Sequence, residues 1–127
     1  LDLPSCSLTD AGFAALAQLP ALQQLNLAST PISVAAAKQL SRLQKLQYLT
    51  IDNSRLTDEA IAGLANHPAL TVLNAGNNEL TDKSIDSLAT LKLLRSVSLY
   101  QTKITKAGAE RLKKALPECQ VQGQFDQ

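Results

Sequence analysis

The chain is poor in the residues that carry most enzymatic and metal chemistry. Among its 127 residues there are one His and two Cys, no Met, no Trp, two Tyr and two Phe. Lys and Arg number 12 against 11 Asp and Glu, a formal net charge of +1. A surface that binds nucleic acid or an anionic membrane needs excess positive charge, so this near-balance argues against both partners. The composition therefore predicts neither an enzyme nor a metal or cofactor site.

The sequence also lacks a long apolar run. Crossing a bilayer takes about 20 consecutive apolar residues, and no stretch of the chain approaches that length. The chain does not open on a signal peptide either, so we expect no membrane insertion by this segment and leave its compartment open. With 45% hydrophobic residues, the chain can still build the core of one domain. Because it opens on Leu1 and not on Met, we interpret it as a piece of a longer protein.

A 24-residue repeat organises the sequence. Blocks of the form Leu-x-x-(Leu/Val)-x-(Leu/Ile/Ala) begin at Leu22, Leu46, Leu70 and Leu94, and Leu1 fits an earlier, incomplete block. Alternating apolar residues over so few positions predict a short strand, and the helical spacing that follows predicts a helix. We expect residues 1–118 to form five repeats, with units starting near 1, 22, 46, 70 and 94, and residues 119–127 to form a closing strand and tail.

Each predicted helix is preceded by a hydroxyl-bearing residue. A Thr or Ser at this position can accept a hydrogen bond from a free N–H of the first helical turn. Asp10, Asp58 and Asp82 add negative charge near the positive end of their helices. The predicted caps are Thr9, Ser33, Thr57, Thr81 and Thr105.

These blocks resemble the leucine-rich repeat family, whose pattern is Leu-x-x-Leu-x-Leu-x-x-(Asn/Cys/Thr)-x-Leu. The Leu-Thr-Asp runs at Leu8, Leu56 and Leu80 resemble the bacterial 24-residue branch of the ribonuclease-inhibitor-like superfamily. Ala75 departs from the pattern, which has a large aliphatic residue there. The resemblance implies an α/β, right-handed, curved solenoid of about five repeats plus a terminal strand, with a parallel inner sheet and outer helices.

A row of small or polar residues follows the strands, three positions after the last apolar residue of each block. We expect these residues to stack and to bond backbone groups where each strand leaves the sheet. Cys6 belongs to this row, and Cys119 begins a sixth strand about five strand steps, or more than about 20 Å, away. A disulfide needs Cα atoms within about 7 Å, so the fold excludes a bridge between the two cysteines. The row comprises Cys6, Thr30, Ser54, Asn78 and Thr102.

The residues between the strand leucines point away from the core and form the predicted concave face. Most are small and polar, and Tyr48 and Tyr100 are its only aromatic residues. Tyrosine is favoured at interfaces because it combines a large, stiff contact area with a polar tip. The alternative is a solvated face that binds nothing. The candidate binding residues are Asn26, Tyr48, Asp52, Arg55, Asn74 and Tyr100.

The remaining titratable residues do not converge on a catalytic or metal site. His67 falls near the end of the predicted third helix, where other units have Leu, so we expect a half-buried packing residue or a charge partner of the helix terminus. Glu110 interrupts the basic residues of the fifth helix, which favours a solvated outer face over a phosphate site.

Three functions of different classes fit the sequence. The first, by analogy to the family, is a non-catalytic domain that presents its concave surface to a protein partner. The second is a structural or accessory C-terminal segment of a larger bacterial protein, because the finish at 116–119 resembles repeats attached to planctomycete-type cytochrome c modules. No Cys-x-x-Cys-His haem motif occurs in the chain itself. The third is a secreted effector.

The first repeat has no polar cap, so we expect either preceding repeats or end-to-end self-association of two copies. Family analogy also suggests a periplasmic or cell-envelope setting. None of these observations identifies the partner.

Overall fold

The computed structural model describes residues 1–3, 5 and 7–125 as a regular alternation of short helices and strands. In chain order the elements are α1 (Asp10–Leu16), β1 (Gln24–Asn26), α2 (Val34–Leu40), β2 (Tyr48–Thr50), α3 (Asp58–Ala62), β3 (Val72–Asn74), a 3-10 turn (Asp82–Ser84) that continues into α4 (Ile85–Ala89), β4 (Ser96–Ser98), α5 (Lys106–Ala115) and β5 (Gln120–Gln122).

The strands form one parallel sheet in sequential order, from β1 to β5. Each strand residue pairs with the residue 24 positions later, as Leu25 pairs with Leu49 and Leu49 with Leu73. At the β1 edge, Asp2 forms a further parallel bridge with Asn26. The 24-residue period of the sequence is therefore the period of the sheet. The predicted α/β solenoid of about five repeats is confirmed.

The helices begin where the hydroxyl residues predict. Four of the five predicted caps accept a hydrogen bond from the backbone N–H three residues later, at 3.1–3.3 Å. Thr81 instead accepts from the N–H of Lys83, two residues later, and precedes the 3-10 turn. The described contacts account for this tighter start, because one carboxylate, that of Asp58, holds both Thr81 and Ser84.

The core lies between the sheet and the row of helices. The middle residue of each of the first four strands is buried, and Ala75, the departure from the repeat pattern, is fully buried as well. Leu19 is an exception among the leucines that follow the helices, since 44% of it is exposed. It follows α1, the first helix of the stack, whereas Leu43 and Leu91 lie between neighbouring units and are buried.

The predicted row of small and polar residues ties neighbouring units together at Asn78. Its Oδ1 accepts hydrogen bonds from the N–H groups of Ser54 and Leu56, at 2.8 and 3.0 Å. Its Nδ2 donates to the carbonyls of Ile51, Ala75 and Gly76, at 2.9, 3.1 and 3.1 Å. Asn78 therefore satisfies backbone groups of its own unit and of the preceding one.

Two other members of the row also bond to the preceding unit. Thr30 and Ser54 are fully buried, and each donates its hydroxyl to a carbonyl of the preceding unit, Thr30 to Leu3 and Ser54 to Leu27, at 3.1 Å. Thr102 bonds only within its own unit among the described residues. The prediction for Cys6 lies outside the described residues. Cys119 is a free, buried cysteine, and burial raises the pKa of its thiol.

Asp58, predicted as a first-turn charge, also connects its helix to the next repeat. Its Oδ1 accepts from the Thr81 N–H at 2.9 Å and from the Ser84 hydroxyl at 2.5 Å, and its Oδ2 accepts from the Thr81 hydroxyl at 2.6 Å. Burial by itself raises the pKa of Asp58, but the hydrogen bonds from Ser84 and Thr81 outweigh it and lower the pKa below its ordinary 3.8. Asp82 holds Thr105 in the same way, at 2.8 and 2.5 Å.

Candidate functional site

One face of the sheet is covered by the helices and the other carries the strand side chains that lie outside the core. Within each of the first four strands a buried middle residue alternates with two residues that are exposed or half-buried. We call these outer residues of the five strands the sheet face. They are Gln24, Asn26, Tyr48, Thr50, Val72, Asn74, Ser96, Ser98, Gln120 and Gln122.

The sheet face carries no formal charge. None of its ten residues is Asp, Glu, Lys or Arg, although these types make up 18% of the chain. Its polar groups are amides and hydroxyls, and some of them bond across strands, as the Asn74 amide does to the Thr50 hydroxyl at 3.3 Å. A partner that covers this face would therefore desolvate few full charges, which keeps the cost of burial low.

The first hollow on this face brings together three of the six candidate binding residues. Asn26, Tyr48 and Asn74 line a depression of about 510 Å³ that spans β1 to β3 and is closed at one side by Leu1 and Asp2. Tyr48 is 46% exposed, and register pairs it with Gln24 on one side and Val72 on the other. This depression is the largest of the three described on this side of the molecule.

Asp52 and Tyr100 line a second hollow, of about 270 Å³, beyond the ends of the strands. Asp52 Oδ1 accepts a hydrogen bond from the Gly76 N–H at 2.6 Å, so one carboxylate oxygen is held by the backbone. Tyr48 and Tyr100 lie in separate hollows. Two strand steps put them about 10 Å apart across the sheet, and up to about 13 Å separates them along the strand direction.

Arg55 lies apart from the other candidates. It lines a third hollow, of about 420 Å³, among the turns that leave the sheet, together with Asn53 and Glu79. Its φ of 54° is in the left-handed region, which is uncommon for a long side chain. Glu79 pairs with Lys103 at 2.9 Å on the same edge, and this hydrogen-bonded carboxylate raises the pKa of Lys103.

Two residues that are not among the sequence-predicted candidates connect the second and third hollows. Asn77 and Gln101 line both of them. They belong to a row of turn residues, 24 positions apart, that all have φ between 53° and 60°. Asn tolerates this left-handed conformation better than most residues, so the recurrence of Asn at 53 and 77 was the available signal. The row comprises Ser5, Ser29, Asn53, Asn77 and Gln101.

His67 differs from the prediction in place and in burial. α3 ends at Ala62, five residues before it, next to the weak helix former Gly63. His67 is 5% exposed and not half-buried. Its Nδ1 accepts from the Ala69 N–H at 3.1 Å, which assigns the proton to Nε2, and Nε2 donates to the Leu43 carbonyl at 2.8 Å. The ring is a neutral structural link between two units.

We expect this histidine to make the fold sensitive to mild acid. Burial lowers the pKa of His67 below its ordinary 6.5, although the Leu43 hydrogen bond opposes the shift. The unfolded chain therefore binds a proton that the folded chain does not. The free energy of unfolding should be constant above pH 7 and should fall as the pH drops below 6.5, by at most about 1.4 kcal/mol per pH unit.

Urea unfolding at pH 7.5, 6.5 and 5.5 measures this loss. His67→Gln is the matched control, because its amide can still donate to the Leu43 carbonyl but does not titrate. We expect the variant to unfold at the same urea concentration at all three pH values. An equal pH dependence in the variant and the wild type would assign the effect to another group.

Metal-binding clusters and membrane-spanning helices are absent from the part of the chain that the structure describes. Within 1–3, 5 and 7–125, no three His, Cys, Asp or Glu side chains come close enough to hold a metal ion. No helix in this part of the chain is long and apolar enough to cross a membrane. The basic residues of α5 are exposed on the helix side, and Arg111 bonds the Asp82 carbonyl at 3.2 Å.

Comparisons with known proteins agree with the repeat. A family model for the leucine-rich repeat matches residues 69–91. A leucine-rich repeat protein of Leptospira interrogans is 30% identical, with a TM-score of 0.64 over 85% of this chain and 27% of that chain. Actin-binding site 2 of leiomodin-1 superposes with a TM-score of 0.72 at 14% identity, over 96% of this chain and 83% of that one.

An internalin from Listeria monocytogenes superposes with a TM-score of 0.55 at 18% identity, over 90% of this chain and 38% of that one. No curated protein matches the chain in sequence. The chain spans about a quarter of the length of the Leptospira protein. The 24-residue repeat, the parallel sheet and these structural likenesses together identify the fold as an α/β leucine-rich repeat solenoid.

Proposed function

We propose that this leucine-rich repeat domain is a non-catalytic recognition module that binds a protein partner through its sheet face. The observation that carries the proposal is the uncharged sheet face with Tyr48 exposed at the largest of the three described hollows. Interfaces between proteins have cores depleted in charge and enriched in tyrosine, and the binding energy concentrates on a few such residues.

The distribution of charge over the molecule supports this face over the helix side. The helices and the turns next to them carry most of the charged residues, whereas the five strands carry none. Ten neutral side chains on short parallel strands form a broad surface. The hydrogen bonds between the paired strands hold the backbone of this surface in place. Such preorganisation lowers the entropy lost when a partner binds.

The relatives support the class of role but not the partner. Actin-binding site 2 of leiomodin-1 is by its description a protein-binding segment with this fold. At 14% identity the likeness concerns the fold, so actin is not carried over to this chain. Proteins that share a fold often differ in function. The role of the sheet face therefore needs a direct test.

The test is a comparison of two single variants in quantitative capture of partners from a lysate of the source organism. Tyr48→Ala removes the exposed tyrosine of the sheet face. Leu93→Ala removes an exposed side chain, 55% accessible, that follows α4. We expect Tyr48→Ala to weaken capture of the wild-type partner at least about thirtyfold, which corresponds to the roughly 2 kcal/mol of an interface hot spot, and Leu93→Ala to leave it unchanged.

Two control measurements allow the capture experiment to be interpreted. Circular dichroism must show that both variants fold, as expected for exposed positions. Light scattering must show whether the chain pairs with itself through the edge at residues 1–3, where Leu1 is 51% exposed. Equal capture by both variants would place the binding surface elsewhere. No capture by the wild type would favour an accessory segment of a larger protein.

A further inference from the structure

A notch opens where the second, third and fourth strands leave the sheet. Asp52, Gly76 and Tyr100 occupy the same position of three successive repeats, 24 residues apart, two residues after the end of each strand. The middle one has no side chain. Asp52 and Tyr100 thus flank a gap whose floor is the Gly76 backbone, and Asn77 and Gln101 line its side. We call this the Asp52 notch.

The floor of the notch needs glycine, because the Gly76 backbone packs closely against Tyr100 and Asp52. A Cβ atom there would lie 2.9 Å from the Tyr100 carbonyl oxygen and 3.3 Å from Asp52 Oδ1. Both distances are shorter than an ordinary van der Waals contact, so a side chain at position 76 would push on the Tyr100 backbone and on the Asp52 carboxylate. Two strand steps of about 4.8 Å put the Cα atoms of Asp52 and Tyr100 about 10 Å apart. The hollow above Gly76 is open to solvent and has a volume of about 270 Å³.

The charge in the notch is uncompensated. The Gly76 N–H holds Asp52 Oδ1 at 2.6 Å, and Oδ2 accepts no hydrogen bond from any residue that the structure describes. In that same part of the chain the one ion pair joins Lys103 to Glu79, so Asp52 has no cationic partner. A carboxylate fixed by a backbone amide and facing an open gap is preorganised to accept a charged donor.

We propose that the Asp52 notch binds an arginine side chain of the protein partner, an inference that rests on the proposed function. A guanidinium group is planar, always charged and carries five N–H donors. Asp52 accepts from it, the side-chain carbonyls of Asn77 and Gln101 take further donors, and Tyr100 supplies an aromatic neighbour for the cation. A lysine ammonium has three donors and holds its water more tightly, so it fits the same set less well.

A small probe tests the notch without the partner. Nα-acetyl-L-arginine N-methylamide is titrated into ¹⁵N-labelled protein, in parallel with the citrulline analogue, which has nearly the same shape without the charge. We expect saturable shifts of the amide signals of Gly76, Asn77 and Gln101 with arginine, and at least about threefold weaker binding of citrulline. Raising the salt concentration should weaken the arginine binding.

Two variants that each replace a carboxylate by its amide provide the test and its control. Asp52→Asn removes the charge while its amide oxygen can still accept from Gly76, and we expect it to weaken arginine binding about three- to tenfold. Glu79→Gln removes an exposed charge that is paired with Lys103 in the neighbouring hollow, and should change nothing. Unchanged binding to Asp52→Asn, equal binding of citrulline, or no shifts at about 20 mM probe would each overturn the proposal.

The two proposals fail in different ways. If the arginine probe binds at the notch and Tyr48→Ala still captures every partner, the notch stands and the sheet face around Tyr48 does not. If Tyr48→Ala loses the partner while Asp52→Asn retains both the partner and the probe, the recognition face stands and the arginine notch is wrong.

Discussion

Replacing Asn78 with alanine is expected to cost the fold about 3 to 5 kcal/mol of its free energy of unfolding. The side chain is 6% exposed and makes five hydrogen bonds, all to backbone groups. Each buried donor or acceptor left without a partner costs about 1–3 kcal/mol. Four of these five backbone groups have no other hydrogen-bond partner among the described residues, and inside the core water cannot replace Asn78 without opening the stack. The loss is a large fraction of the total stability of a domain of this size.

Thr102→Ala is the matched comparison, because Thr102 occupies the same position of the repeat. It is half-buried and its hydroxyl donates to Leu99 of its own unit, at 2.9 Å. We expect a cost of about 1 kcal/mol or less. Urea unfolding followed by circular dichroism measures both variants. Equal losses would mean that the position in the repeat, and not the bond to the preceding unit, sets the contribution of Asn78.

Asp58→Ala is expected to cost about 2 kcal/mol. The variant removes three hydrogen bonds to Thr81 and Ser84, two of them from hydroxyls, and all of them charge-assisted. The loss should act on the junction between the third and fourth units, because both partners belong to the next repeat. Asp10→Ala is the control: Asp10 has the same position in the first unit, is exposed, and forms no such bond with a described residue. We expect it to cost less than about 0.5 kcal/mol.

The pH dependence of the Asp58→Ala variant provides an independent check of this prediction. The pKa of Asp58 is lowered in the folded state, so the carboxylate contributes its full stabilisation above the ordinary value of 3.8 and loses it as the pH falls toward the folded pKa. The difference in unfolding free energy between the wild type and Asp58→Ala should therefore be constant from pH 7 to pH 5 and shrink below pH 4. A difference that persists undiminished at pH 3 would show that packing, not the charge, accounts for the effect.

The repeat by itself determined the architecture. A 24-residue spacing of leucines, a hydroxyl residue before each helix and a row of small polar residues are local patterns, and each has a local physical cause. Strand side chains alternate, Thr and Ser cap helices, and small polar groups satisfy backbone near turns. The sheet register, the helix starts and the buried row at Thr30, Ser54 and Asn78 follow from those causes. The sequence also predicted which strand residues face away from the core.

Only the tertiary structure decided what residues 24 positions apart do to one another. Asn78 reaches back to the preceding unit, Asp58 reaches forward to the next one, and His67 bonds the carbonyl of Leu43. The structure also divided the candidate binding residues among three hollows and exposed Leu19. The physical reason is that a periodic pattern specifies the face on which a side chain lies. The partner of that side chain depends on its length, its rotamer and the residue that stacking places beside it, such as Gly76, whose N–H holds Asp52 Oδ1.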